Sequence, residues 1–269
     1  PPRSTHCISS AASDVYKRQV TVFEKDDRIG GLLVYGIPDF KLEKRVVSRR
    51  VEQLRQEGVD FRTGVNVGID LSVKELQKSF DAVLLAIGAQ NARKLTTEGH
   101  DLNGVHYAMD FLPQCNRDVA GDFIPEEEKI DSGNKLVIIL GGGFTAADCL
   151  GNINRQGAKT NVRQFELVNM EPRPTPVHAE ANPDCRANVL TEAIIDDGKG
   201  NVKALQGVNV QWERKNGRIT MKRLEGSEFT VSADIVLLAM GFLGPTVEGL
   251  LELSLIHISE PTRPLYISY

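Results

Sequence analysis

The segment from Leu136 to Cys149 reads LVIILGGGFTAADC and narrows the possible folds more than any other part of the chain. An apolar run typical of a strand leads directly into three glycines, Gly141 to Gly143, and helix-compatible residues follow. Such glycines let the backbone turn tightly and approach a pyrophosphate, to which the next helix offers N–H groups and partial positive charge. The spacing is GxGxxA, with Ala146 in the place that lets helix and strand pack closely. The segment predicts a strand–turn–helix unit that binds a dinucleotide.

A second strand-like run, Asn161 to Leu167, carries an acid near its end, Glu166. This acid lies about 20 to 25 residues beyond the glycine turn, where a carboxylate binds the ribose of a dinucleotide. A carboxylate there pairs with a free 2′-hydroxyl and repels a 2′-phosphate, so Glu166 favours NADH. Arg163 and Arg173 leave NADPH as the alternative.

The composition excludes several classes of function. The 269 residues carry a net charge of -4, with 41% hydrophobic and 25% charged residues, so no nucleic acid or anionic membrane is expected as a partner. No apolar run reaches the length of about 18 residues that a transmembrane helix needs. The four cysteines, Cys7, Cys115, Cys149 and Cys185, form no CxxC pair, so we predict no metal site and a reducing, cytoplasmic location.

Both ends of the chain differ from the rest. Residues 1–19 and 254–269 show no strand or helix period and resemble translated sequencing-adapter read-through. We expect both stretches to be non-native and exclude them from fold reasoning. A cleavable targeting segment is the weaker alternative, because residues 1–19 lack the apolar core of about 7 to 15 residues that a signal peptide needs.

The remaining pattern predicts alternating strands and helices. Two apolar runs, AVLLAIG and IVLLAMG, are similar in sequence, and each ends at a glycine. Both are typical of buried parallel strands. The predicted strands are Val20–Glu24, Val59–Thr63, Val65–Val67, Ala82–Ile87 and Ile235–Met240; the predicted helices are Arg45–Glu57, Val73–Ser79, Tyr107–Cys115 and one from the glycine turn to about Gln156; an antiparallel meander is predicted in Val202–Val210, Gln211–Arg214 and Arg218–Leu224, with a turn at Asn216–Gly217.

Two sets of β–α–β units predict an α/β protein with two doubly wound, Rossmann-like dinucleotide-binding domains. One is a flavin-type domain. A nicotinamide-type domain is inserted into it, and the chain passes between the two domains at the predicted strands Ala82–Ile87 and Ile235–Met240. The predicted boundaries are 20–110 for a partial FAD-binding domain, 111–233 for the NAD(P)H-binding domain, and 234–253 for a truncated return to the flavin domain.

Several motifs resemble one known family. The segment EKDDRIGGLLVYGIPDFKLEK resembles the flavin-binding segment of the small (β) subunit of glutamate synthase and of its relatives, including the amino-terminal half of dihydropyrimidine dehydrogenase. The likeness continues through AVLLAIGA, EGHDLNGVHYAMDFL, LVIILGGGFTAADCLGNINRQGAK and ADIVLLAMGFLGP, and so covers nearly all of residues 20–252. It implies the fold of the pyridine nucleotide-disulfide oxidoreductases, with an FAD site and a nicotinamide site.

The resemblance also implies site residues. Those implied for FAD are Glu24 at the adenosine ribose, Gly30, Gly31 and Leu32 at close backbone approaches, Lys41 at the phosphate region, Val67 at the adenine and Gly88 at a strand end. Those implied for NADH or NADPH are Gly141, Gly142, Gly143, Phe144 and Thr145 at the pyrophosphate, Glu166 and Leu167 at the ribose, and Ala239, Met240 and Gly241 at the nicotinamide end.

The implied reaction is hydride transfer from NADH or NADPH to FAD. Electrons would then pass through iron–sulfur clusters to an FMN on the large (alpha) subunit, which makes glutamate. No catalytic acid, base or nucleophile is needed, so His100, His106 and His178 are interpreted as non-catalytic. The alternatives are a related flavin module that feeds ferredoxin or a pyrimidine reductase, and a nucleotide-binding remnant without function.

The sequence departs from the family pattern in three places. It starts at the second strand of the flavin fold, without the first glycine turn or a cysteine-rich domain, so we expect an internal fragment that is inactive alone and binds FAD weakly or not at all. Phe144 stands where the family usually has aspartate, which removes a favourable carboxylate–dipole interaction. The stretch NPDCRANVL replaces a longer one, as expected for a deleted loop or for an assembly that skipped bases.

Overall fold

The computed structural model describes residues 18–157, 162–168, 184–215 and 218–248. The chain divides into two compact units. The first unit takes its residues from Pro1–Ile29, Ser48–Asn91 and Leu243–Tyr269, and the second from Gly30–Val47 and Ala92–Phe242. The predicted cofactor domains, 20–110, 111–233 and 234–253, use other boundaries and stay predictions.

The described helices and strands alternate along much of the chain. In chain order they are β1 (Thr21–Glu24), α1 (Leu32–Tyr35), α2 (Lys44–Gln56), β2 (Asp60–Thr63), α3 (Val73–Ser79), β3 (Asn91–Ala92), β4 (Val105–Tyr107), α4 (Ala108–Val119), a 3-10 turn (Glu126–Glu128), β5 (Val137–Leu140), α5 (Phe144–Arg155), β6 (Val162–Phe165), β7 (Asp184–Arg186), β8 (Val189–Asp196), β9 (Val202–Lys215), β10 (Arg218–Ser232), β11 (Ile235–Leu238) and β12 (Phe242–Gly244).

The first unit is built on one parallel strand pair. Strands β1 and β2 pair from Thr21 opposite Asp60 to Glu24 opposite Thr63, and most of α2 joins them. Leu54 on α2 and Leu76 on α3 are buried at the helical spacing of their apolar faces. The strand β1, the helix α2 and the strand β2 confirm the predicted β–α–β order, with ends that differ by one or two residues.

The predicted strand Ala82–Ile87 is wrong. This segment has no regular structure, and three of its apolar side chains are exposed: Val83 by 45%, Leu84 by 71% and Ile87 by 38%. An apolar run becomes a buried strand only when a neighbouring strand satisfies its backbone. Within the described residues β1 pairs only with β2, so no ladder reaches this segment. Val65–Val67 is likewise no strand, since only Val67 forms an isolated bridge.

The second unit contains a five-stranded sheet in the order β4–β11–β5–β6–β7. All four neighbouring pairs are parallel. Every residue of β5 and β11 is buried, because successive side chains of a strand point to opposite faces and both faces of this sheet are covered. This confirms the two buried strands that LVIIL and IVLLAM predict.

Two helices cover one face of this sheet. Phe111 on α4 and Leu150 on α5 are fully buried in a cluster with Val137 and Ile139 of β5. The predicted helix Tyr107–Cys115 starts one residue later and continues to Val119, with Pro113 inside it. The predicted helix after the glycine turn ends at Arg155, close to its expected end.

A three-stranded antiparallel sheet, in the order β10–β9–β8, covers the other face. Its Leu205 and Val231 form a second core cluster with Ile138 and Leu140 of β5. The meander is therefore confirmed. The predicted boundary between the strands Val202–Val210 and Gln211–Arg214 is wrong, because residues 202–215 form one strand. Strand β8 was not predicted, and the turn at Asn216–Gly217 lies outside the described residues.

Two segments expected to lack helices contain short helical turns or the end of a helix. The segment from Arg28 to Lys44, expected to be a loop, contains the one-turn helix α1. Residues 116–134, expected to be a polar connection, include the end of α4 and the short 3-10 turn. Over the residues that the structure describes, no helix is long and apolar enough to cross a membrane.

Helix α3 offers a test of local stability. The Ser72 hydroxyl accepts a hydrogen bond from the N–H of Glu75, and the Glu75 carboxylate accepts one from the N–H of Ser72. Replacing Ser72 with alanine removes this cap and should lower the free energy of unfolding by about 1 kcal/mol. Chemical denaturation measures the change. Ser79→Ala, at the other end of the same helix, is the matched control and should have no effect.

Candidate functional site

The predicted glycine turn lies at the carboxyl end of β5. Gly141 has a φ of 128°, and a Cβ there would lie 2.3 Å from the carbonyl oxygen of Ala239. The Gly141 N–H donates to the carbonyl of Phe165 at 2.8 Å, and its own carbonyl accepts the side-chain amide of Gln164 at 2.8 Å. Only glycine fits a turn so close to two neighbouring strands.

The amino terminus of α5 follows directly. Gly143 immediately precedes the helix, and a Cβ on it would meet nothing within 4 Å. Within the described chain, no side chain caps this terminus and no acidic residue lies in its first turn. Ala146 is fully buried against the sheet, as the third position of the motif requires. The open Cα face of Gly143 and the uncapped N–H groups fit a pyrophosphate.

Glu166 lies beside this turn, as the sequence predicts. It follows β6 directly, and one oxygen of its carboxylate accepts the N–H of Gly142 at 2.5 Å. The other oxygen accepts the N–H of Val168 at 3.1 Å, so backbone N–H groups from the glycine turn and from the loop after β6 both bind this carboxylate. Leu167 is 36% exposed next to it. The structure therefore brings together the acid and the turn that lie about 20 to 25 residues apart in the sequence.

A small cleft opens at the same edge of the sheet. Of the predicted residues, Thr145, Ala239 and Gly241 line it. Met240 instead packs against the cluster under the antiparallel sheet. Phe144 is 64% exposed at the start of α5.

Sequence reasoning missed Tyr107, Met109 and Arg93, which also line the cleft. The sequence pattern predicts no strand at β4, and it predicts a helix from Tyr107 onward. Because β4 is parallel to β11, Tyr107 at its carboxyl end reaches the same edge as Ala239.

Three residues implied for the flavin lie in the first unit. Glu24 ends β1, and its carboxylate accepts the N–H of Asp26 at 3.1 Å. Val67 is half-buried, and Gly88 has a φ of 67°. The Lys25 ammonium donates to the side-chain amide oxygen of Gln90 at 3.0 Å, which holds the end of β1 beside the chain that follows Gly88.

The other four flavin residues lie in the second unit. Gly30 and Gly31 have φ of 131° and 49° and precede α1, whose first residue, Leu32, is 57% exposed. The Lys41 ammonium pairs with the carboxylate of Asp148 on α5 at 2.6 Å. Lys41 thus contacts the helix that follows the glycine turn, both at this carboxylate and at the ring of Phe144, whose centroid lies 5.9 Å from the ammonium.

Two cysteines are buried where α4 and α5 pack on the sheet. Burial raises the pKa of the Cys115 thiol to about 12 and raises that of the Cys149 thiol well above its usual value. The thiolate is the nucleophile in alkylation, so both groups should be inert in the folded chain at pH 8. Alkylation followed by peptide mass spectrometry should label the half-buried Cys185 and leave Cys115 and Cys149 unlabelled until denaturant is added. Labelling of Cys149 in the native chain would contradict this.

Comparison with known proteins agrees with the geometry. The sequence pattern of the pyridine nucleotide-disulphide oxidoreductase family matches residues 5–243. The chain belongs to this family. Its closely packed glycine turn and its parallel sheet thus lie in an oxidoreductase domain.

Relatives confirm the resemblance to glutamate synthase. The chain is 46% identical to the glutamate synthase [NADPH] small chain of Mycobacterium tuberculosis over 86% of its own length and 50% of that protein. It is 37% identical to the small chain of Bacillus subtilis, over 84% and 50%, and 37% identical to the glutamate synthase [NADH] of Schizosaccharomyces pombe, over 94% and 14%. The chain spans about half the length of the bacterial small chains that it matches.

Solved structures share the fold. FprA of Mycobacterium tuberculosis, solved in complex with NADPH, matches with a TM-score of 0.67 at 17% identity, over 90% of this chain and 68% of that one. The thioredoxin reductase of T. acidophilum matches with a TM-score of 0.54 at 16% identity, over 88% and 73%. Both confirm the α/β fold that the sequence predicts.

Proposed function

We propose that the chain is part of a flavin-dependent electron-input subunit of glutamate synthase and that its glycine turn binds the nicotinamide coenzyme. The observation that carries the proposal is the position of the Glu166 carboxylate on the N–H of Gly142, beside an uncapped helix terminus. This arrangement can take a pyrophosphate on the turn and a ribose on the acid. The names of the bacterial relatives support the choice of glutamate synthase.

The proposed reaction begins with transfer of hydride from NADH or NADPH to FAD, which supplies the redox chemistry when bound. The nicotinamide end would rest against Ala239 and Gly241 in the cleft that Thr145 also lines. The residues proposed for FAD are Glu24, Gly30, Gly31, Leu32, Lys41, Val67 and Gly88. The onward route through iron–sulfur clusters to the large subunit, and a cytoplasmic location, complete the proposal.

Glu166 should determine the choice of coenzyme. Its carboxylate would accept ribose hydroxyls and repel a 2′-phosphate, so NADH is the proposed coenzyme. Replacing Glu166 with alanine should weaken NADH binding by about 10-fold and narrow the difference from NADPH, because a charge-assisted hydrogen bond is lost. Titration with each coenzyme measures both constants. Glu192→Ala, a carboxylate on β8, is the control and should change neither.

The decisive experiment uses the longer protein from which such a chain would come, together with a large subunit. We expect NADH-dependent reduction of a dye by the flavoprotein, and glutamate formation from 2-oxoglutarate and glutamine only when the large subunit is added. Dye reduction without glutamate formation would overturn the assignment to glutamate synthase. A protein that binds neither NADH nor NADPH would overturn the oxidoreductase proposal itself.

A further inference from the structure

The only tryptophan of the chain lies against the loop that carries Glu166. Trp212 is half-buried on β9, and its indole N–H donates to the carbonyl oxygen of Leu167 at 3.1 Å. Leu167 is the residue directly after Glu166. A strand of the antiparallel sheet therefore supports the loop that follows β6, 45 residues earlier in the chain.

The backbone of Glu166 is also attached to β7 of the parallel sheet and to β8 of the antiparallel sheet. The N–H of Glu166 donates to the carbonyl of Arg186 at 2.9 Å, and the N–H of Val189, at the start of β8, donates to the carbonyl of Glu166 at 3.0 Å. The N–H of Val210 on β9 donates to the carbonyl of Asn188 at 2.8 Å. Glu166 is thus held by its main chain through β7 and β8, and the carbonyl of Leu167 accepts a hydrogen bond from the side chain of Trp212.

The face of β9 explains why the indole reaches this place. Residues two apart on a strand share a face, and Val208, Val210 and Trp212 form such a series. Val208 and Val210 are buried, while Trp212 is only half-buried. On this face of β9, the side chains change from buried at Val208 and Val210 to half-buried at Trp212, which lies beside the loop that follows β6.

The loop has the chemistry of an adenosine site. Glu166 supplies a carboxylate for ribose hydroxyls, and the next two side chains, Leu167 and Val168, are apolar and 36% and 43% exposed. The N–H of Val168 is already used by the Glu166 carboxylate. A change in the Leu167 backbone would therefore move the carboxylate as well as the apolar surface.

We propose that Trp212 is a positioning residue for the adenosine half of the nicotinamide coenzyme, acting through its hydrogen bond to the Leu167 carbonyl. The inference rests on the proposed function and adds a residue outside the glycine turn and the acid. It predicts that the indole N–H affects the binding of ligands that contain adenosine and not of ligands that lack it.

The test compares Trp212→Phe with the wild-type 269-residue chain. Phenylalanine keeps an aromatic ring and removes the N–H, so the dissociation constants of NADH and ADP-ribose should rise about 3- to 10-fold. The dissociation constant of reduced nicotinamide mononucleotide, which has no adenosine, should not change. Calorimetric titration measures all three. Met221→Leu, which changes the residue opposite Trp212 on β10, is the matched control and should bind all three ligands like the wild type.

Fluorescence gives an independent readout, because all tryptophan emission of this chain comes from Trp212. ADP-ribose does not absorb at the emission wavelength, so a saturable change in emission would report a change around the indole itself. Equal affinity of Trp212→Phe and wild type for NADH would overturn the inference alone. A parallel loss of affinity for the mononucleotide would also overturn it, since that indicates a general structural role. Failure of the wild type to bind any of the ligands would overturn the proposed function, and the inference with it.

Discussion

Replacing Gly141 with alanine should lower the unfolding free energy of the second unit by about 3 to 5 kcal/mol. The new Cβ would lie 2.3 Å from the carbonyl oxygen of Ala239, and the φ of 128° is one that alanine avoids. Relief requires β5 and β11 to separate where the Ala239 N–H donates to the carbonyl of Leu140 at 2.8 Å. That movement would disturb the centre of the parallel sheet.

The matched variant is Gly143→Ala, two residues further along the same turn. A Cβ there meets nothing within 4 Å, and the backbone is in an ordinary region, so stability should not change. The same Cβ would project toward the place proposed for the pyrophosphate, so NADH affinity should fall about 10-fold or more. Thermal denaturation measures the loss of stability expected for Gly141→Ala, and calorimetric titration measures the loss of NADH affinity expected for Gly143→Ala. Equal stability of the two variants, or unchanged NADH affinity in Gly143→Ala, would contradict this account.

The parts of the fold that the sequence predicted best are those where local pattern and tertiary environment agree. Strands β5 and β11 read as continuous apolar runs because α4, α5 and the antiparallel sheet cover both faces, and the structure confirms this. The glycine turn and Glu166 were recognised by spacing alone. Both signals are local, and the residues concerned are joined by a single crossover.

Elsewhere the pattern was misleading or silent. Ala82–Ile87 is as apolar as β11 but pairs with no described strand, so composition alone could not decide its state. Trp212 touches the loop after Glu166 from 45 residues away, and that contact depends on the register of β8 with β9. The sequence predicts Gln211–Arg214 as a separate strand of the meander, whereas these residues continue β9, with Gln211 and Glu213 exposed.

Lys41 shows the same limitation at the site. The family resemblance implies a place for Lys41 at the flavin phosphate region, and the sequence gives no sign of its ion pair with Asp148, 107 residues away. The neighbouring Phe40 ring lies 3.6 Å from the guanidinium carbon of Arg155 on the same helix. The segment around Lys41 is therefore attached to α5 at two points, near its start and at its end.

Replacing Lys41 with methionine should lower the unfolding free energy of the second unit by about 2 to 3 kcal/mol. The side chain of Asp148 is only 9% exposed, so its carboxylate would lose a partner where water cannot fully replace it. The effect stays below that of a fully buried pair because Lys41 is 27% exposed and Lys44 also interacts with Asp148. Burial lowers the pKa of Lys44, and the charges of Asp39 and Asp148 oppose that shift.

A double-mutant cycle with Asp148→Asn isolates the pair, and urea denaturation measures each corner. Because the amide leaves no buried charge, Lys41→Met should be less harmful in the Asp148→Asn background than in the wild type. Arg45→Met is the matched control: its partner Glu43 and Arg45 itself are both largely exposed, so no measurable change is expected. Additive effects of Lys41→Met and Asp148→Asn would show that the pair does not stabilise the helix. A positive coupling energy would establish that the segment before α2 and the helix after the glycine turn are energetically linked through this ion pair.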